Sequence, residues 1–177
     1  MKEDLLALSE LVKQHNKITS DISKLIGRPA LTGHLGEYIA SIIFDIRLAD
    51  SASNKAIDGW FSSGNLEGKS VNVKWFTSHD GLMNLCESNQ PDYYLVLTGE
   101  YHNPGPSRGR SNPWVITNIY LFDSEALIEK MRKAGTKIGT ASSIKKMDWE
   151  AAEIYPNQTG QLLRLNQEQK DLLSLFA

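Results

Sequence analysis

Residues 71–76 read Val-Asn-Val-Lys-Trp-Phe, and the apolar pattern of the chain changes to a period of two here. Side chains alternate between the two faces of a strand, so this run predicts a strand in which Asn72 and Lys74 share one face. Asp58, in the run Ile-Asp-Gly at 57–59, precedes Asn72 by fourteen residues. The turn-forming residues at 62–65 predict that 57–62 and 70–76 form an antiparallel hairpin. Asp58 can then share the face of Asn72 and Lys74.

The rest of the chain predicts an α/β protein with a mixed sheet. Further strands are expected at 92–98 and 114–122, and helices at 3–26, 33–45, 124–133, 143–154 and 166–176. Thr32 is the candidate cap of the helix at 33–45, and either Asp123 or Ser124 is the candidate cap of the helix that ends near Lys133. Consecutive strands between helices favour a mixed sheet over the regular alternation of a doubly wound fold. We expect a core of about four strands flanked by helices, with extra helices at both ends.

Length and composition predict one globular domain. The 177 residues suffice for one sizeable core. We divide them into an N-terminal helical extension at 1–28, a core at 33–135 and a C-terminal helical extension at 140–177. No apolar run approaches the ~20 residues of a membrane helix, so no membrane association is expected. The one cysteine, Cys86, cannot form an internal disulfide, which favours the cytoplasm.

Two motif-like features are set aside. The stretch 64–70, Gly-Asn-Leu-Glu-Gly-Lys-Ser, has three residues between its glycines where a phosphate-binding loop needs four, and it leads into a strand. We interpret it as the hairpin turn. The four histidines are scattered and lack the spacing of zinc ligands. The net charge of −2 gives no overall case for nucleic acid, so DNA binding would require a local basic face.

Four residues carry the chemistry that the sequence predicts. Two carboxylates (Glu37 and Asp58), the amide of Asn72 and the ammonium of Lys74 are expected to converge. Magnesium prefers oxygen ligands and keeps several waters. Such a group suits phosphodiester hydrolysis, with a lysine that orients water or offsets charge on phosphorus. Lys74 in a buried strand would be costly without a partner, whereas Asp58 alone is equally typical of a turn and Glu37 of an exposed helix.

This arrangement resembles the PD-(D/E)xK nuclease superfamily, which includes restriction endonucleases, archaeal Holliday-junction resolvases and many uncharacterised bacterial proteins. The resemblance covers roughly residues 33–100. It is also similar to bacterial families that keep a Gly-x-x-Gly-Glu helix, an Ile-Asp-Gly turn and a Val-x-Val-Lys strand. It implies a restriction-endonuclease-like core and a Mg²⁺-dependent endonuclease of the restriction, repair or mobile-element type, with Mn²⁺ as an alternative ion. The implied roles are Glu37 as helical acid, Asp58 as metal-binding aspartate and Lys74 as catalytic lysine, with Glu37, Asp58 and Asn72 as the metal ligands.

Asn72 departs from that family, which usually places Glu, Asp or Gln at this position. An amide oxygen can coordinate a metal but brings no charge, so ion affinity should fall. The alternative function is therefore a weakened or inactive nuclease fold that serves as a nucleic-acid-binding or protein-interaction module. A third alternative is a structural α/β protein whose long N-terminal helix packs against another protein.

The expected partners are DNA and a second copy of the chain. Lys55, Arg108 and Arg110 are candidates for contact with the DNA backbone, although such residues are also commonly just solvated. The leucines and isoleucines of helix 3–26 exceed what a short flanking helix needs. They predict burial against the core or against a second copy, which would pair two active sites for cutting both strands.

Overall fold

The helices of the computed structural model lie where the sequence places them, within one to three residues at most ends. The structure describes residues 2–50, 56–100 and 112–177. The α-helices in these ranges are α1 (Lys2–Ile26), α2 (Thr32–Ile43), α3 (Ser124–Lys133), α4 (Lys146–Ala152) and α5 (Gln167–Ser174). A short 3₁₀ helix, Gly64–Leu66, forms the connection between the two hairpin strands, which agrees with the interpretation of 64–70 as a turn.

The main sheet is mixed, as predicted. It has six strands in the order β1-β2-β3-β5-β6-β8, and β4 pairs with β7 in a separate two-stranded sheet. Only the β3–β5 pair of the main sheet is parallel. The strands are β1 (Ile46–Leu48), β2 (Gly59–Phe61), β3 (Ser70–Phe76), β4 (Leu82–Met83), β5 (Tyr93–Thr98), β6 (Asn118–Asp123), β7 (Ser142–Ser143) and β8 (Glu153–Tyr155).

The predicted antiparallel hairpin is confirmed. Gly59 pairs with Val71, and Trp60 pairs with Ser70. β2 is shorter than expected, because it begins at Gly59 and leaves Asp58 just outside the strand. Among the described residues, no strand pairs with the part of β3 that follows Val71 on the β2 side.

The two faces of the main sheet carry different helices. One face holds Val71, Val73 and Trp75 in a buried cluster with Ile39 and Ile43 of α2. The opposite face packs against α3 and α4 through a second cluster: Tyr94, Val96, Tyr120, Phe122, Leu127, Met131 and Trp149. In the β3–β5 ladder, Asn72 pairs with Tyr94 and Lys74 with Val96. Asn72 and Lys74 therefore belong to the face opposite α2, and they share it as the alternation predicted.

Several predicted details are wrong. The strand expected at 114–122 begins only at Asn118, and the helix expected at 143–154 is limited to Lys146–Ala152 by strands on both sides. Thr32 is the first helical residue of α2, and the capping position is held by Leu31 without a side-chain bond. Asp123 does cap α3, since its carboxylate accepts from the Ala126 N–H at 2.9 Å. Two edge strands, β1 and β8, extend the expected four-stranded core to six.

The long first helix is not buried against the core, which contradicts one of the two alternatives offered for it. None of its 25 residues is buried. Only Thr19, Ile22, Ser23 and Ile26 are partly covered, and they all lie in its last two turns. Within the described ranges, no helix combines the length and the apolar character needed to cross a bilayer.

Candidate active site

Asp58 is held at the sheet edge where β2 has ended. Its backbone N–H donates to the Val71 carbonyl at 2.9 Å, and its Oδ2 accepts from the Val73 N–H at 2.7 Å. The carboxylate thus takes the place of the next backbone carbonyl in the β2–β3 ladder. This position lies in the plane of the sheet, between its two faces.

A glycine makes this position of Asp58 possible. A Cβ on Gly59 would lie 2.5 Å from the Arg47 carbonyl oxygen and 2.8 Å from an Ile46 methyl group of β1. Such approaches are closer than any side chain tolerates, so only glycine allows β2 to pair this closely with β1. The Asp-Gly pair is therefore a strand entry, which argues against the alternative that it is an ordinary turn.

Lys74 is half-buried on the face of the sheet opposite α2. Its Nζ lies 5.4 Å from the centre of the Tyr94 ring, a distance at which a cation is attracted to the ring face. Burial lowers the pKa of Lys74, and the Asp58 carboxylate opposes that shift. Lys74 therefore has the electrostatic partner that its position in a buried strand requires.

Asn72 is buried, with 8% of its surface exposed. Its Oδ1 is fully enclosed and has no hydrogen-bond donor within reach. A buried carbonyl oxygen without a partner costs about 1–3 kcal/mol, so such an atom calls for an explanation. A cation bound at this oxygen would supply one, although the groups that now enclose the oxygen would have to move aside.

Glu37 belongs to the opposite side of the sheet, on α2. Its Oε2 accepts from Arg28 Nη1 at 2.6 Å, while Arg28 Nη2 contacts the Ala49 carbonyl at 3.4 Å. α2 approaches β3 closely because residue 36 is a glycine, where a Cβ would lie only 2.9 Å from Cβ of Trp75. The glycine before the acid thus sets how near Glu37 comes to the edge where Asp58 lies.

The two carboxylates influence each other. Burial raises the pKa of Glu37 and the nearby Asp58 carboxylate raises it further, against the lowering effect of Arg28 and His34. Burial also raises the pKa of Asp58, whereas the Val73 N–H, Lys74 and Arg28 lower it. Glu37, Asp58 and Lys74 therefore form one coupled set in which every charged form is disfavoured by burial. Perturbed groups of this kind concentrate at functional sites.

Arg28 is a site residue that the sequence analysis missed. In the sequence, the run Gly27-Arg28-Pro29 indicates only the end of the first helix, and α1 does end at Ile26. No periodicity marks an arginine in a connection as the partner of a particular acid. The one available signal is that buried carboxylates are usually paired with a cation, so a partly buried Glu37 needs a basic residue nearby.

The predicted DNA-contacting residues, Lys55, Arg108 and Arg110, lie outside the described residues. Two cavities of about 450 and 480 Å³ lie elsewhere on the molecule, one beside Trp75 and Trp114 and the other beside Tyr120 and Trp149. Neither is lined by Glu37, Asp58, Asn72 or Lys74. The candidate site is thus separate from these two cavities, at the edge of the main sheet where its side chains are half-buried or buried.

The donor set limits how a metal could bind. In the described ranges, no three His, Cys, Asp or Glu side chains are arranged to hold a metal ion. The available oxygens are the two coupled carboxylates and the unpartnered Oδ1 of Asn72. All three are hard donors of the type that Mg²⁺ prefers, and this ion commonly keeps several waters and uses one or two carboxylates. The residues present fit magnesium better than zinc, which favours nitrogen and sulfur ligands.

Comparison of the chain with protein-family models and with curated proteins found no match.

Proposed function

We propose that this protein hydrolyses phosphodiester bonds in DNA, with Mg²⁺ or Mn²⁺ bound at the edge of the main sheet. The observation that carries the proposal is the position of Asp58, whose carboxylate is fixed to the Val73 N–H beside Lys74 and is coupled to Glu37. It is supported by the unpartnered Oδ1 of Asn72. DNA as the substrate rests on the resemblance of residues 33–100 to PD-(D/E)xK nucleases.

Each residue has a distinct role in this proposal. Asp58 is the principal metal ligand, because it lies in the sheet plane and interacts with groups on both faces. Asn72 Oδ1 is the ligand on the Lys74 side, and Glu37 is the ligand on the α2 side. A cation held by these residues would supply Lewis-acid chemistry, which polarises a phosphoryl oxygen and makes a water a better nucleophile. Lys74 orients the attacking water or stabilises negative charge on the phosphate, as a preorganised cation does at low cost.

The weakened metal site is the second candidate function. Asn72 supplies no charge, and one oxygen of Glu37 is bound to Arg28 at 2.6 Å. Both features lower the affinity for a cation relative to a site with three unpaired carboxylates. On this alternative the chain retains a DNA-binding or protein-interaction role without efficient cleavage.

We also propose a cytoplasmic location, since Cys86 is exposed and unpaired.

Cleavage of mixed DNA substrates tests the proposal directly. Supercoiled plasmid, linear duplex and branched DNA are incubated with the protein and Mg²⁺ or Mn²⁺, with EDTA as the metal-free control. The proposal predicts products with the parent, none with Asp58→Asn and far fewer with Lys74→Ala, when all three proteins are prepared identically. Cleavage that survives both substitutions would place the activity elsewhere or in a contaminant.

Metal binding separates the two candidates. A ligand that binds only the folded state raises the unfolding free energy by about 2.7 kcal/mol at one hundred times its Kd. A metal-dependent rise in Tm that Asp58→Asn removes, without cleavage by the parent, supports the weakened site. A rise in Tm together with cleavage supports the nuclease. No metal effect on either readout contradicts the metal site itself.

A further inference from the structure

We propose that two copies of this chain associate through antiparallel pairing of their α1 helices. The proposal stands on the surface of α1 and is independent of the proposed function. Seven large apolar side chains of α1 are about half exposed or more, and five of them lie on one side of its exposed part: Leu5 (65%), Leu8 (54%), Leu11 (60%), Val12 (48%) and Ile18 (59%). No residue of this 25-residue helix is buried.

These side chains form one continuous stripe. We define the α1 stripe as Leu5, Leu8, Leu11, Val12, His15 and Ile18, whose spacings of three, four and seven residues place them on one side of the helix. This repeat is the pattern with which helices pack against one another in coiled coils. Leu6 is also exposed, at 63%, but it lies on the opposite side.

The stripe projects away from the rest of the chain. The partly covered residues of α1 begin at Thr19, and the Ser23 hydroxyl there accepts from the Ala30 N–H at 3.0 Å. The exposed part, residues 2–18, is roughly 25 Å long at 1.5 Å per residue. An exposed apolar helix face of this length is typical of an interaction surface.

The charges of α1 argue against a lipid surface as the occupant. The helix carries four lysines (Lys2, Lys13, Lys17 and Lys24) and four acids (Glu3, Asp4, Glu10 and Asp21). Helices that lie on anionic membranes have a polar face rich in Lys and Arg, which this helix lacks. A net charge of zero instead allows α1 to pair with a copy of itself without repulsion.

The order of those charges favours the antiparallel arrangement. Three of the four acids precede Val12 and three of the four lysines follow it. Antiparallel helices bring the acidic half of one copy beside the basic half of the other, and they also oppose the two helix dipoles. A parallel pair would place acids beside acids and lysines beside lysines. Charge complementarity along α1 therefore favours pairing with the α1 helix of a second copy in the antiparallel orientation.

The apolar area that two α1 helices can bury determines the expected affinity of the dimer. Each of the five apolar side chains can bury roughly 60–100 Å², so two helices would remove on the order of 600–1,000 Å² of apolar surface from water. Stable interfaces bury at least about 1,200 Å² in total. The stems of neighbouring polar side chains add the remainder, and we expect a dimer that dissociates in the micromolar range.

Sedimentation equilibrium from about 1 to 200 μM tests the association. The chain has a mass of 19.8 kDa, and the proposal predicts a concentration-dependent rise towards about twice that value. The double variant Leu8→Glu/Leu11→Glu should stay monomeric over the whole range. A parent protein that stays at the monomer mass, including one that binds vesicles or another protein instead, overturns the proposal.

Leu6→Glu is the matched control, because it places the same substitution on the same helix outside the stripe. It should dimerise like the parent. Since Leu6, Leu8 and Leu11 are all exposed on the surface of α1, all variants should unfold at the parent's Tm when measured at low concentration. If Leu6→Glu lowers the dimer fraction as much as the double variant, the stripe is not the interface and the proposal fails.

The orientation is tested with a spin label near the start of α1. Glu3→Cys in a Cys86→Ser background places one label per chain, and the distance between labels in the dimer is measured by electron–electron resonance. Antiparallel helices paired about Leu11 separate the labels by ~25 Å or more at 1.5 Å per residue. Parallel helices bring them to about the 8–10 Å interaxial distance plus the label length. A short distance overturns the antiparallel arrangement.

Discussion

The carboxylate of Asp58 accepts a hydrogen bond from the backbone N–H of Val73 at 2.7 Å, beyond the point where the β2 backbone stops pairing with β3. The Asp58 side chain thus accepts the hydrogen bond that a backbone carbonyl of β2 would accept if the strand continued. This fixes the carboxylate through a backbone donor, and within the described ranges its other oxygen, Oδ1, accepts no hydrogen bond. It also explains how Asp58 interacts with Lys74 on one face and with Glu37 of α2 on the other.

Lys74→Ala tests the role of the buried lysine. If Lys74 acts on the attacking water or on the phosphate, its loss should lower the cleavage rate by about 10²–10³-fold, as removal of one preorganised donor does. DNA binding measured in Ca²⁺ should weaken only modestly. Lys69→Ala is the control, because Lys69 precedes β3 and its ion pair with Asp92 is exposed. Equal effects of the two substitutions on the rate would rule out a specific role for Lys74.

Asn72→Asp tests whether the unpartnered amide oxygen faces a cation. Without metal, the variant buries a third carboxylate near Asp58 and should be less stable than the parent by about 1–3 kcal/mol, because the added charge has no partner. With Mg²⁺, the added negative charge should tighten binding. The metal-dependent rise in Tm is therefore expected to be larger in Asn72→Asp than in the parent, and cleavage should increase.

Asn84→Asp is the control for that experiment. The Oδ1 of Asn84 accepts from the Ala141 N–H at 2.8 Å, and an aspartate oxygen can make the same bond on an exposed residue. This variant should bind metal as the parent does. If Asn72→Asp gains no more metal-dependent stability than Asn84→Asp, Asn72 does not belong to a metal site.

The sequence predicted the central part of the fold because period and burial agree there. The alternation in Val71–Phe76 reflects a strand with two different environments, and the hairpin followed from the turn residues before it. The edge strands were not predictable in the same way. β1 and β8 have three residues each, too few to show a period, and they exist because a neighbouring strand supplies their hydrogen bonds.

The candidate site was only partly predictable from the sequence. Alternation placed Asn72 and Lys74 on one face, but it could not show that Glu37 approaches from the other. The role of Asp58 as an acceptor for Val73 depends on where β2 stops, which the Gly59–Arg47 contact decides in three dimensions. Arg28 is brought to Glu37 by the turn between α1 and α2, and sequence separation carries no signal for such a pair.

Gly36→Ala tests whether the close approach of α2 to β3 positions Glu37. The new Cβ would lie 2.9 Å from Cβ of Trp75, so α2 must move away. Overpacking of this kind typically costs about 1–3 kcal/mol, and the better helix propensity of alanine offsets up to ~1 kcal/mol of that cost. We expect a lower unfolding free energy in urea and weaker metal binding.

Gly33→Ala supplies the matched comparison on the same helix. A Cβ at Gly33 meets nothing within 4 Å, so this variant should be as stable as the parent or slightly more stable, with unchanged metal binding. The opposite ranking of the two alanine variants would mean that the Gly36–Trp75 contact does not set the position of α2.

Arg28→Gln tests the cation that the structure places beside Glu37. Its guanidinium lies 2.6 Å from Glu37 Oε2 and lowers the pKa of both Glu37 and Asp58. A positive charge at this distance repels a metal ion and occupies an oxygen that the ion could use. Isothermal titration with Mg²⁺ should therefore show tighter binding in the variant. Arg132→Gln, which removes an exposed ion pair with Glu87, should leave metal binding unchanged.

The same variant should change how stability depends on pH in the absence of metal. Burial already raises the folded-state pKa of Glu37 and of Asp58, and loss of Arg28 raises both further. A carboxyl group with a raised pKa stabilises the fold while it is protonated, and that contribution is lost as the pH rises through its folded-state pKa. At acidic pH, where both groups are protonated in parent and variant alike, the two proteins should differ little. As the pH rises through those raised pKa values, Arg28→Gln should become progressively less stable than the parent, because it must ionise two buried carboxyls without their cation. Urea unfolding from pH 4 to pH 8 measures this difference, and a deficit that is constant across that range would show that Arg28 stabilises the fold by packing alone.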